Sequence, residues 1–225
     1  MSSHPISYRP DIDGLRALAV VPVVLFHAFP NLLPGGFVGV DIFFVISGYL
    51  ITSILLKDMQ AGQYSLAGFY ARRVRRIFPA LSVVLLFCLI LGWVVLTAIE
   101  YRQLAKHVMG GSGFVANIML WKELGYFDTA ADTKPLLHLW SLGIEEQFYI
   151  VWPIILWAFW RFKAIRLPLI ALLTTGSFAW NIYQSQVDLT HDFYSPLTRF
   201  WELSAGAWLS FHVSRRSQAP QSANV

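Results

Sequence analysis

An all-α, polytopic transmembrane helix bundle is the fold this sequence predicts, and three observations predict it. Of its 225 residues, 56% are hydrophobic and only 13% are charged, against about 25% charged in an ordinary soluble domain. Mean hydropathy is +0.54, and the apolar residues fall in repeated blocks of about 20, the length that carries a helix through a bilayer. The arginines gather between those blocks, at 72–76, 161–166 and 215–216, as in loops retained on the cytoplasmic side. About six spans are expected, with one re-entrant or interfacial segment. The net charge of +4 is thereby read as topology, and nucleic-acid binding is not expected. Membrane lipid is the first partner implied.

Three divisions follow. Residues 1–14 form a polar cytoplasmic lead-in, 15–213 a membrane domain, and 214–225 a polar tail. Leu15 to Leu33 reads as the first span, with Pro22 as a kink. It is long enough to cross and has a polar flank, so it is not a cleavable leader. The run NLLPGG (31–36) makes a tight reversal. Phe37 to Leu56 is the second span, with Asp41 its one charge. Leu66 to Ile77 carries apolar residues at helical spacing with arginines between them, an interfacial amphipathic helix leading into a third span, Ile77 to Ala98. Leu139 to Trp160, Leu167 to Tyr183 and Leu197 to Val213 complete the spans. The weakly apolar 101–121 block holds Lys106, His107 and three glycines. If every arginine-rich loop faces the cytoplasm, this block makes no net crossing. Cys88 is the single cysteine, so no intrachain disulfide forms.

Ionisable groups inside a membrane are costly and mark pathways or sites. Arg16 and His27 lie on one face of the first span, eleven positions and therefore roughly 16 Å apart. Asp41, just past the reversal, is expected at the depth of His27, where it would accept the imidazole N–H and orient a general base. A buried polar pair that only fixes packing is the alternative. Arg72, Arg73, Arg75 and Arg76 suit a polyphosphate, which guanidinium groups grip in a fork; lipid headgroups offer a simpler explanation. Glu145 and Glu146 open the span from Leu139, with Tyr149 four residues after Glu145 on the same helical face. Two adjacent carboxylates entering a membrane require that one be paired or protonated, unless both are hydrated at the interface. Arg199 and Glu202, three apart, read as a structural ion pair.

Four motifs now stand in order: DGLR (13–16) with His27, GFVGVDIFFVISG (36–48), RRVRRIFP (72–79) and WSLGIEEQFY (140–149). Together they resemble the acyltransferase-3 family of integral membrane O-acyltransferases that modify bacterial surface glycans. The resemblance runs from about Tyr8 to the last span. It implies transfer of an acyl group, typically acetyl from acetyl-CoA, to a carbohydrate hydroxyl such as that of lipopolysaccharide O-antigen, at the inner membrane. Arg16 and His27 match the family's paired positions, Arg73 and Arg76 its Arg-x-x-Arg element (Arg72 and Arg75 share that spacing), and Glu145 its glutamate. The resemblance, with Asp41 added from its expected place beside His27, gives His27, Asp41 and Glu145 as the expected catalytic residues and Arg16, Arg72, Arg73 and Arg76 as the donor-binding set, with no metal. Family domains have about ten spans, so the chain is expected to correspond to the N-terminal part of one. A carrier for glycan or lipid-linked intermediates would use the same polar face, and an inserted but inactive remnant is a third reading.

Overall fold

The computed structural model describes residues 10–123 and 134–218. The start of the lead-in, the loop before residue 134 and the end of the tail lie outside the described residues. Among the described residues every regular element is helical: α1 (Pro10–Ala28), a 3₁₀ turn (Gly36–Val38), α2 (Gly39–Gln60), α3 (Leu66–Val95), α4 (Ala98–Ser112), α5 (Ala116–Glu123), α6 (Leu139–Ala158), α7 (Lys163–Val187), α8 (Leu189–Tyr194) and α9 (Pro196–Gln218).

Gly36–Gln60, Leu66–Val95 and Lys163–Val187 are long and apolar enough to cross a membrane. Helices α1, α6 and α9 have 19, 20 and 23 residues, but charged residues interrupt them: Asp11, Asp13 and Arg16 in the first, Glu145 and Glu146 in the second, Arg199 and Glu202 in the third. The interfacial helix and third span expected from the sequence are one continuous helix, α3, of 30 residues. Its length of about 45 Å exceeds a hydrocarbon core of about 30 Å, so its arginine-bearing first third projects beyond a crossing. Ser65 caps it, accepting from the Gly68 amide at 3.1 Å. Along its outer stripe Val83, Leu86, Ile90, Trp93 and Val94 are 57–79% exposed, a surface suited to lipid and a liability in water.

The segment expected to make no net crossing folds as α4 and α5, of 15 and 8 residues. Neither reaches the length a crossing asks for. They join at a turn where Phe114 takes a φ of 56°. Thr97 and Glu100 cap α4 reciprocally, the two-way box that satisfies first-turn amides.

The core lies where α2, α6, α7 and α9 meet, around the fully buried Ile51, Leu55, Trp152 and Ala207. Helices α2 and α9 touch backbone to backbone. A Cβ on Gly48 would sit 1.9 Å from the Leu203 carbonyl oxygen, and one on Gly206 would sit 1.9 Å from that of Val45. Small residues admit this approach, which in lipid replaces hydrophobic drive with dispersion contact. Polar links secure neighbouring layers: Ser53 Oγ to Ser210 Oγ at 2.9 Å, Thr174 Oγ1 to Ser204 Oγ at 2.9 Å, and Trp152 Nε1 donating to Thr52 Oγ1 at 2.8 Å. Tyr70 and Tyr64 pin the start of α3 to α6 by donating to the Ile150 and Pro153 carbonyls at 2.7 and 3.0 Å.

Gly48→Ala is expected to destabilise the detergent-solubilised protein by about 1–3 kcal/mol, the usual penalty of overpacking. Gly176→Ala in α7, where an added Cβ meets nothing within 4 Å, should be neutral or stabilising. Thermal unfolding followed by circular dichroism checks both; equal shifts would show that the α2–α9 contact is not limiting.

Candidate active site

A cavity of about 520 Å³ opens between α1, α2, α3 and α6, and it gathers Arg16, Arg73, Arg76 and Glu145 together with Glu146 and Tyr149. Each helix contributes for a local reason. The first turns of α1 bring Arg16, whose guanidinium lies 5.2 Å from the Phe43 ring centroid on α2. The projecting start of α3 presents Arg73 and Arg76 at i,i+3, on neighbouring positions of one face. The Arg73 guanidinium lies over the Tyr149 ring at 4.4 Å and near Phe69 at 5.9 Å, so cation–π contact fixes it without a carboxylate. Tyr149 donates its hydroxyl proton to Glu145, as their spacing on one face of α6 allows.

Glu146 was not singled out from the sequence as a site residue, yet it is the more buried of the two carboxylates. It is 6% exposed, and its Oε1 has no hydrogen-bond partner. Arg73, Arg76 and Glu145 are close enough to act on it electrostatically. The signal available in the sequence was the doubled glutamate; which carboxylate turns inward depends on the rotation of α6. A buried oxygen left unpaired costs about 1–3 kcal/mol, so this wall of the cavity is prepared for a donor.

Arg72 does not join the cluster. It is 56% exposed and bonds Asp58 at 2.8 Å on the outer surface. On a helix its direction differs by about 100° from that of Arg73, so of the two overlapping Arg-x-x-Arg pairs only Arg73 and Arg76 line the cavity.

His27 and Asp41 lie outside the cavity, and the expected bond between them is replaced by other pairings. Asp41 accepts from Arg199 Nη1 at 3.0 Å, and the same nitrogen reaches Glu202 at 2.9 Å. The pair predicted for Arg199 and Glu202 is thus a triad with Asp41. The permanently charged guanidinium, brought in by α9 packing on α2, outcompetes a neutral ring N–H for the carboxylate. His27 instead bonds through Nδ1 to the Val23 carbonyl, one turn back, at 2.8 Å. A carbonyl only accepts, so Nδ1 carries a proton, and in the neutral ring Nε2 is then the basic nitrogen. The orientation assigned to Asp41 is supplied by α1 itself.

Beside His27 stands His138, with ring centroids 4.7 Å apart. Reading the sequence placed His138 only at the opening of a motif; the two rings meet because α6 starts at the level where α1 ends. Partial burial, and then the neighbouring His27, hold His138 below the ordinary imidazole value. The site therefore has two poles along α1, a cavity lined by three arginines and the carboxylates of Asp13, Glu145 and Glu146 at one end and paired imidazoles at the other. Among the described residues no cluster of three or more His, Cys, Asp or Glu has metal-binding geometry.

An acyltransferase-domain family matches residues 9–223. The chain belongs to this acyltransferase family. Among its relatives, peptidoglycan O-acetyltransferase OatA of Listeria monocytogenes is 38% identical over 215 residues, covering 91% of this chain and 34% of OatA. A Bacillus subtilis protein named as a candidate peptidoglycan O-acetyltransferase, YrhL, is 39% identical, covering 90% of this chain and 33% of its own length. The chain thus spans about a third of the curated relatives it matches. No solved structure matches it.

Two measurements check these pairings in the acyltransferase chain. A double-mutant cycle of Asp41→Asn with Arg199→Gln should show coupling of about 0.5–3 kcal/mol in thermal unfolding, and one of Asp41→Asn with His27→Ala none. The depressed His138 contributes stability that is present above the ordinary imidazole value of about 6.5 and is lost as pH falls through it, because the unfolded chain then takes up the proton first. Lowering the pH from 7 to 5 should therefore destabilise the wild type more than His138→Gln; equal losses would remove His138 from the account.

Proposed function

We propose that this chain is the membrane core of an O-acetyltransferase that moves an acetyl group from acetyl-CoA to a hydroxyl of a cell-surface glycan. The observation that carries the reading is the cavity in which Arg16, Arg73 and Arg76 converge beside Glu145, Glu146 and Tyr149, within a chain of this family. Three guanidinium groups with no carboxylate salt bridge between them suit the phosphates of a CoA donor. The names of the relatives favour a peptidoglycan-type acceptor over lipopolysaccharide O-antigen. In this reading α1, α6 and α9 cross the membrane with α2, α3 and α7, making six spans. Their charges are tolerated because they pair or line the cavity. The arginine-rich ends and the N-terminus face the cytoplasm of a bacterial inner membrane.

The chemistry follows from the two poles. Donor phosphates rest at the cavity arginines, and the flexible arm of the donor carries its thioester along α1 toward His27. Nε2 of His27 removes the proton from the acceptor hydroxyl as the oxygen attacks the thioester carbon. The tetrahedral intermediate collapses with C–S cleavage, and the departing CoA sulfur takes up a proton. His138 keeps the second imidazole neutral beside the first and steadies its ring. Glu146 accepts a hydrogen bond from the donor, filling the valence its Oε1 leaves open.

Acetyl-CoA-dependent transfer to a muramyl glycan by the purified, membrane-reconstituted chain tests the proposal. Arg73→Ala and Arg76→Ala should raise the KM for acetyl-CoA about tenfold or more each, with little effect on acceptor KM, and lysine should rescue only in part because it lacks the planar fork. His27→Ala should lower kcat by about 10²–10⁴ while donor binding persists. Donor binding unchanged in both arginine variants, or near-wild-type turnover by His27→Ala, would overturn the respective assignment. Transport of glycan without any CoA-dependent transfer would favour the carrier reading.

A further inference from the structure

A second cavity, of about 460 Å³ and cationic, lies where the C-terminal ends of α2 and α9 meet the N-terminal end of α7, and it shares no lining residue with the first. Lys163, Arg166 and Arg215 line it, with Gln60, Ser214 and the apolar Trp160. Among the described residues no acidic one does. Asp58, on the same end of α2, is taken by Arg72 at 2.8 Å, and the acids of residues 139–218, which are Glu145, Glu146, Asp188, Asp192 and Glu202, all lie elsewhere.

Arg166 is the telling group. Its guanidinium carbon lies over the Trp160 ring, 4.4 Å from the centroid. Its Nε is buried and has no hydrogen-bond partner, and Arg215 is near enough to repel it. Gln60 Nε2 donates to Ser214 Oγ at 3.1 Å and ties α2 to α9 across the rim. The buried, idle N–H of Arg166 is costly without an acceptor, and the exposed Lys163 and Arg215 bring two further positive charges to the same cavity. Arginine's fork matches the tetrahedral oxygens of phosphate, and the apolar wall suits a group that carries a hydrocarbon.

We infer that this cavity binds a phosphate group, independently of the acetyl donor, and that the carrier of that phosphate is an anionic phospholipid whose headgroup seats between Lys163, Arg166 and Arg215. The helix ends place the cavity at headgroup level, since α2 and α7 are both long and apolar enough to cross. Lipid bound there would clamp α2, α7 and α9 at the end remote from the Asp41–Arg199 triad.

The full chain, purified in detergent and equilibrated with an equimolar mixture of phosphatidylglycerol and phosphatidylcholine, should retain phosphatidylglycerol selectively in native mass spectrometry. Arg166→Gln should weaken that retention about tenfold, as expected for loss of one charge-assisted contact, while Arg161→Gln, outside the cavity, leaves it unchanged. Arg166→Lys, which keeps the charge and the stem, should fall between, and it supplies the comparison if the glutamine variant does not fold. In a parallel arm, thermal unfolding is followed with inorganic phosphate at constant ionic strength in phosphatidylcholine alone. Stabilisation by phosphatidylglycerol but not by phosphate supports the lipid; stabilisation by phosphate alone would overturn the lipid and leave a soluble phosphate site. Equal retention by wild type, Arg166→Gln and Arg166→Lys would overturn the cavity altogether.

Discussion

Backbone contact between α2 and α9 at Gly48 and Gly206 sets the positions on which the rest of this molecule depends. Two helices that approach this closely fix each other's rotation, because every side chain along the seam must interdigitate. That rotation faces Arg199 of α9 toward Asp41 of α2. It also leaves Thr52 exposed to α6, where Trp152 donates to it. With α6 thus seated, its acidic motif can only look toward α1 and α3. The cavity is the space left over by this arrangement.

Charge follows packing, and not the reverse. In an apolar bundle each ionised group needs a partner, and the partners available are those the helix rotations supply. Asp41, Arg199 and Glu202 pair at one end of α2 through Arg199 Nη1, with Glu202 Oε2 left over. Arg73 satisfies itself on an aromatic face, which keeps its fork open. Glu146 and Arg166 are left with an unpaired atom each, and each stands on the wall of a separate cavity.

Much of this was legible in the sequence, and the failures have particular causes. The helical class followed from block length and charge content, and the acyltransferase family from four ordered motifs. Arg16, Arg73, Arg76 and Glu145 were brought into one cavity because each lies within a regular helix, where spacing fixes direction. The partner of Asp41 was misjudged because depth in the membrane was inferred from loop length, and depth says nothing about which neighbour a carboxylate faces. That neighbour, Arg199, is 158 residues away, and no local pattern announces it. Glu146 and His138 were missed for a related reason: both depend on how α6 turns against α1 and α3. The continuity of α3 through Pro79 hid the junction expected at residue 77, since the apolar stripe of its first turns runs on into the crossing.

The tautomer of His27 bears on how such a site is built. An imidazole oriented by a carboxylate on another helix is lost whenever the two helices shift by an ångström. An imidazole oriented by the carbonyl one turn back on its own helix keeps its tautomer as long as α1 stays helical. The same helix carries Arg16 three turns away, so α1 alone fixes the separation between the proposed phosphate-binding pole and the proposed base. In the proposed mechanism helix α1 therefore sets the spacing, with donor capture at one end, proton abstraction at the other and Pro22 between them. Changes in the packing of α2, α6 or α9 would alter what flanks the two poles without altering the distance between them.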